Sequence, residues 1–488
     1  MAGITGIGSG LNIDDIVKVL VNAEKAPKTN QLDNLEKATT TRISAIGTLT
    51  GAINTFKSSV DSLNKTSLFE SRTASTSNSS VVKATATSTA PAGSYSLQVQ
   101  QLASSSKVAL QSVSGGTGAT FSGGTLEISA GSTSINVEVT SANNTLAGMR
   151  DSINAAGKSS GISATIITDD SGSRLVLSSS KTGQGNDLKV TVPAPSGDEV
   201  SGVNQLSVLA FTATADPDTP DAYLKPDSIS GSGGVITQAK SAKLTIDGLQ
   251  LVRNNNRIDD ALEGVTLDLL AAQSASDLTD GKTISLTVGV DKGSVKSSLQ
   301  KFVDAYNALI STTSQLTAYV PVDGSKPVTG PLFGDTSVRS LVTGMRNELV
   351  SAPGQGGIQA LAQLGITTDK DGKLSLDDTK LTAALDKSFD EVGAYLAGDN
   401  GLMGRLSSFA SSYVATDGVL KQRNDALQAT KKDVDKQRKA LDLRVDSLQK
   451  RLYSQYNAMD SLVGQLKQTS NSLSGMLANL PGFVRKDK

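Results

Sequence analysis

The feature that most restricts this chain is a heptad repeat near its C-terminal end. Between Val419 and Val463 there is neither glycine nor proline. Leu420, Leu427, Val434, Leu441 and Leu448 recur every seven residues, and a second series runs through Val445, Leu452, Met459, Leu466 and Leu473. Apolar residues at this spacing form a seam on a helix that another helix must cover. At a rise of 1.5 Å per residue, the uninterrupted stretch alone spans roughly 65 Å. The seam is imperfect. Arg438, Lys431 and Asn424 hold the earlier positions of the second series, and Gln455 and Thr469 interrupt the first. Such a seam pairs weakly by itself and orders fully when partner helices surround it.

The other end carries a matching pattern. Asn12 followed by Asp14 and Asp15 reads as a helix cap with acid in the first turn, and Ile13, Ile16, Val17 and Leu20 share one face. Pro27 is expected to interrupt this helix, with a second one following. There Ile43, Ile46, Leu49, Ile53, Phe56, Val60 and Leu63 step by threes and fours. The assembly seam expected from the two ends comprises Ile46, Leu49, Ile53, Phe56 and Val60 with the ten heptad residues named above.

Between the ends the character changes. From Ala74 to about Val290 the chain is rich in Ser, Thr, Gly and Val. Its short alternating runs (Val81–Thr87, Tyr95–Val99, Leu126–Val139, Ile162–Thr168, Leu175–Ser178, Leu188–Val192, Leu244–Ile246, Ile284–Val290) read as antiparallel strands. Leu146, Met149 and Ile153 mark one helix among them, while Pro193–Gly202 and Asp216–Gly234 read as loops or joints. Helical stripes return with Val295–Ile310 and Val338–Leu349, followed by a hairpin of Leu364–Thr368 and Lys373–Leu376 through Asp371–Gly372.

The resulting fold class is α+β and multidomain: long terminal helices or coiled coil, and a helical stalk domain carrying inserted antiparallel β head domains. The expected divisions are 1–42 with 430–488 (coiled-coil legs), 43–78 with 291–429 (stalk), 79–110 with 236–290 (β head) and 111–235 (outer β insert). Three or four domains suit 488 residues at about 150 residues each.

Composition removes most catalytic chemistry. Cys and His are both absent, so there is no disulfide, no thiolate and no imidazole base or ligand. A net charge of −1 offers no bulk field for nucleic acid. The eight basic and four acidic residues of Lys431–Arg451 interleave, as on a solvated helix face. No apolar run reaches the roughly 20 residues of a membrane span, so no membrane insertion is expected. The start, MAGITGIGSGLNIDDIV, is glycine-rich and lacks the basic and apolar regions of a signal peptide, so if the protein leaves the cell it does so by another route. Asp369-Lys-Asp371-Gly372 has the outline of a calcium loop but puts Thr367 at the first ligand position and ends without a bidentate Glu, so a turn is the better reading. Ser-x-x-Lys tetrads (Ser62, Ser104, Ser447) and Lys181-Thr182-Gly183 lack the Ser-Asp-Asn element that would make them catalytic. No enzyme activity, cofactor or metal is expected.

Taken together, several segments resemble the flagellar filament cap family, hook-associated protein 2. They are GIGSGLNIDDIVKVLVNAEKAP, the Leu244–Leu270 stretch LTIDGLQLVRNNNRIDDALEGVTLDLL, FVDAYNALI (302–310), PLFGDTSVRSL (331–341) and LGITTDKDGKLSLDDTKL (364–381). Thr125–Val190 resembles the module shared by flagellar hook and cap proteins. The resemblance implies a homo-oligomeric ring at the distal tip of the flagellum, a pentamer by the family pattern with other stoichiometries open. It implies flagellin, hook–filament junction proteins and an export chaperone as partners, and secretion through the flagellar type III apparatus. The ring would retain exported flagellin and promote its folding and polymerisation, with the weak seams allowing hold and release. Leucine at Lys431 and Arg438 is therefore expected to tighten leg pairing and slow filament growth. The alternative is a surface adhesin whose Ser/Thr-rich insert binds host mucin or glycans.

Overall fold

The structure, a computed structural model, describes residues 9–193, 204–214, 223–324, 326–351 and 357–478. Most of the glycine-rich start, most of the Pro193–Gly202 joint and the first part of the Asp216–Gly234 joint lie outside these residues. The helices in chain order are α1 (Ile13–Leu63), α2 (Thr66–Glu70), α3 (Leu146–Gly157), α4 (Ala275–Thr279), α5 (Lys292–Leu316), α6 (Thr336–Val350), α7 (Asp378–Lys387), α8 (Phe389–Leu396), α9 (Leu402–Val414) and α10 (Val419–Ala478). The chain divides into two compact units, residues 1–69 with 292–488 and residues 70–291.

The first unit is helical. The Asn12 side chain accepts a hydrogen bond from the Asp15 N–H and starts α1. The break expected at Pro27 does not occur, because α1 runs through it for 51 residues. Pro27 and Ala23, whose carbonyl loses its helical partner, both lie on the exposed face, while Val21 and Leu32 stay buried on the other. The orphaned carbonyl is thus left to solvent, and packing on the other face keeps the helix continuous. Further along, Phe56 of α1 meets Phe302 and Tyr306 of α5 at ring-centroid distances of 5.9 and 6.1 Å. Around this contact Leu49, Ile53, Val60 and Leu63 of α1 are fully buried beside Leu299 and Leu309 of α5, and α9 adds Leu406 and Ala410. The segment after the 366–376 hairpin, unassigned in the sequence, folds as α7, α8 and α9.

The second unit is antiparallel β with two cores. A five-stranded sheet, in the order Arg72–Thr76, Ile284–Val290, Gly93–Gln101, Ala242–Ile246, Leu249–Arg253, joins a three-stranded sheet of Arg257–Leu262, Val265–Leu269 and Val82–Ala86 around one of them. Leu97, Val99, Leu244, Leu267 and Leu286 form its centre. The second core lies between a four-stranded sheet (Gly234–Thr237, Ser105–Ala109, Gly172–Thr182, Ile162–Asp169) and a three-stranded one (Thr133–Val139, Gly124–Ala130, Leu188–Thr191). Helix α3 closes it with Leu146, Met149 and Ile153. The central strand Gly93–Gln101 pairs on both sides with strands far away in sequence, Ala242–Ile246 and Ile284–Val290, so the second core is an insertion between Gln101 and Ala242. Where the sequence suggests one run, Leu126–Val139 is two strands joined through Gly131, whose φ of 61° favours glycine.

Candidate assembly surface

α1 and α10 pair antiparallel, and three stretches of different character follow one another along the pair. At the start of α1, Ile13, Val17 and Val21 bury against Val445, with Leu441, Leu452, Tyr453 and Tyr456 around them. The Asp14 carboxylate beside the Tyr453 hydroxyl holds its pKa above the ordinary value, and desolvation adds to this. Ser9 extends the pairing by donating its backbone N–H to Asp460 at 2.7 Å.

The middle of the pair is charged. Arg444 reaches Glu24 at 2.8 Å and Lys25 reaches Asp442 at 2.9 Å. Arg438 bridges Asp33 at 2.5 Å and Glu36 at 2.7 Å. The hydrogen bond to Asp33 is the main reason its pKa is raised further, with Glu36 adding to it. Arg438, read in the sequence as a defect in the seam, is therefore a paired residue. Its partners stand three apart on α1 and so share a face, a signal visible only once the facing helix is known. These side chains are partly exposed, so the ion pairs are individually weak and screened by salt.

The third stretch enters the bundle, where Leu420 and Val434 are buried and Leu427 is half-buried. Back at the start of α1, the heptad residues Leu441, Leu448 and Leu452 are half-buried. The N-terminal part of the expected seam has a different fate. Ile46, Leu49, Ile53, Phe56 and Val60 are at most 3% exposed within the helical unit itself. The expectation that this stripe is kept for other molecules is thereby corrected: α5, α9 and the near end of α10 of the same chain cover it. A stripe's period says that it is buried, and does not say by which chain.

The far end of α10 behaves in the opposite way. Met459 is 40% exposed, Leu466 60% and Leu473 54%, and Leu462, Met476 and Leu477 are exposed beside them. α1 begins only opposite Tyr456–Asp460, and no described residue covers the helix beyond that point. The fifteen seam residues thus separate into an intrachain bundle core, an intrachain helix pair and an open apolar tip.

The other sequence candidates are engaged locally. The Asp369 carboxylate accepts from the N–H groups of Asp371 and Lys373, with Gly372 at φ 78°, and Asp377 caps α7. The hydroxyls of Ser62 and Ser447 donate to carbonyls one turn back on their own helices. Among the described residues no group of three acids gathers as a metal set, and no helix is long and apolar enough to cross a membrane.

Comparison with known proteins supplies a context for this surface. Residues 9–106 match the model of the flagellar hook-associated protein 2 N-terminus, residues 239–468 that of its C-terminus, and residues 125–181 the flagellin hook IN motif. The A-type flagellar hook-associated protein 2 of Pseudomonas aeruginosa is 46% identical over 488 residues, covering 99% of this chain and 98% of that protein. The B-type protein of Pseudomonas aeruginosa strain PAO1 is 44% identical over 484 residues, with the same two coverages. The crystal structure of the flagellar cap protein FliD D1-D2-D3 domains from Escherichia coli matches with a TM-score of 0.56 at 31% identity, covering 79% of this chain and 99% of that one.

Proposed function

The chain belongs to the flagellar hook-associated protein 2 family, and from this premise we propose that its open α10 tip is the surface through which copies of the cap hold together and hold the filament. The protein is an exported flagellar cap protein at the distal tip of the filament. It forms an oligomer there, prevents loss of flagellin and promotes its folding and polymerisation. The family is structural. Flagellin insertion on this reading is driven by flagellin's own folding and burial, with no catalytic step.

The observation that carries the proposal is the contrast along α10. Its proximal seam is satisfied by α1, whereas Met459, Leu466 and Leu473 continue the heptad with nothing described against them. Leaving such a row in water forgoes about 1.5–3 kcal/mol per large side chain that a partner helix would recover. A closed ring needs heterologous contacts, with different patches meeting around the axis. A pentamer fits the family pattern, and the same tip would be masked by an export chaperone before secretion and seated on the hook–filament junction at the start of growth. The charged middle of the α1–α10 pair suits repeated release, since ion pairs part without exposing apolar surface. No observation favours the adhesin reading, and it is not carried further.

The test is the double variant Leu466→Ser/Leu473→Ser. The isolated chain should keep its melting temperature, because neither side chain packs in the monomer. Rings should be absent by electron microscopy, and cells carrying the variant should secrete flagellin unpolymerised. Normal rings with full-length filaments would overturn the assignment of the tip.

A further inference from the structure

A second apolar surface lies in the helical unit, away from the α10 tip. After α5 ends at Leu316, the chain makes a small hairpin of Tyr319–Val320 and Val328–Thr329 and then the turn that leads into α6. The hairpin is apolar on the outside. Tyr319 is 54% exposed and Phe333 52%, and the two rings stack at 5.4 Å. Val320 and Val328 beside them are more than half exposed. Aromatic residues make up 3% of this chain, so a stacked pair in water is a costly use of two of them. A contiguous apolar patch, as opposed to a scattered residue, marks an interaction site.

Phe333 also forms the wall of a groove of about 410 Å³. Ile46 of α1, Leu427 of α10 and Leu332 line its apolar part, and Arg42 and Arg423 line it from the two helices. Arg423 is neutralised, pairing with the nearly buried Asp335 at 2.7 Å. Arg42 has no partner among the described residues. The groove therefore combines an apolar interior with one uncompensated positive charge.

Its position indicates the shape of what fits. Along the bundle α5 packs beside α1, and the Leu332 N–H donates to the carbonyl of Leu316, the last residue of α5. The groove thus opens where α5 stops, between α1 and α10, which continue without a third helix. We propose that this groove receives an amphipathic helix from another polypeptide, presenting two or three apolar side chains at i, i+4 and i+7 and a carboxylate toward Arg42. The helix takes the place that α5 vacates, Phe333 and Tyr319 cover its apolar flank, and Arg42 selects for acid. This groove is separate from the α10 tip and does not depend on the role given to the tip above.

The experiment uses the full chain and two fluorescent probes, each a stapled 18-residue helix with leucines at i, i+4 and i+7. One carries glutamates beside the leucine stripe and the other lysines. Anisotropy titration should show the glutamate probe binding at least tenfold tighter. Arg42→Glu should reverse that preference, Arg42→Lys should retain it, and Phe333→Ser should weaken both probes at least tenfold. Arg42 and Phe333 are exposed, so circular dichroism should be unchanged in all three. Equal binding of the two probes, no binding of either, or indifference to Arg42→Glu would overturn the proposal, as would a probe displaced only by added copies of this chain.

Discussion

Phe56 illustrates how one side chain ties distant parts of the chain together. It is fully buried, and its ring sits against Phe302 and Tyr306, more than two hundred residues away in sequence. Phe56→Ala should cost about 3–5 kcal/mol, read as a lower denaturant midpoint for the helical unit. Asp61, one turn further along α1, shows how charge enters the same packing. Partial desolvation works against its ionised form, but hydrogen bonds from Lys57 and Ser407 outweigh it and hold its carboxyl below the ordinary value. A depressed folded pKa gives stability that is complete above the unfolded value and is lost as pH falls through the folded one. The stability gap between the protein and its Asp61→Asn variant should therefore be present at neutral pH and close below about pH 4, as measured by urea unfolding across pH.

At the scale of the element, α1 and α10 are stable for different reasons along their lengths. Pro27 sits in the interior of α1 on its exposed face and leaves one carbonyl unbonded. Pro27→Ala should stabilise α1 by up to about 3 kcal/mol, visible as a higher melting temperature of the helical signal. The charged middle of the pair makes a contrary prediction to the one drawn from the heptads alone. Arg438→Leu removes the partner of both Asp33 and Glu36, so it should loosen the pair instead of tightening it. Adding Asp33→Asn and Glu36→Gln should restore the pairing and make it less sensitive to salt, the pairs Arg444–Glu24 and Lys25–Asp442 remaining. Thermal melts at low and at 1 M salt distinguish the three states. Strand elements follow simpler rules: alternation located most of them, while Leu249–Arg253 and Arg257–Leu262 are edge strands whose exposed, polar or irregular patterns carry no period.

At the scale of the whole molecule, the pattern helix, inserted β, helix was legible because each element's period is local. A run without glycine or proline and with a heptad must be a long helix, and Ser/Thr/Val alternation bounded by turns must be strand. The helices α7 to α9 were less legible, because each is short and its stripe holds too few residues to stand out. Strand order was not legible at all. Val82–Ala86 pairs with Val265–Leu269 and Gly93–Gln101 with Ala242–Ile246, and nothing in either partner encodes the other. The assembly residues show the same division within one seam. That Ile46, Leu49, Phe56, Val434 and Leu466 lie on apolar stripes was determined by the sequence alone, since apolar periodicity is a property of each helix by itself. Which of them find cover inside the chain was decided by tertiary structure, through where α1 begins and where α5 and α9 pack. Burial depends on what stands opposite, and the residues opposite are brought there by the rest of the fold.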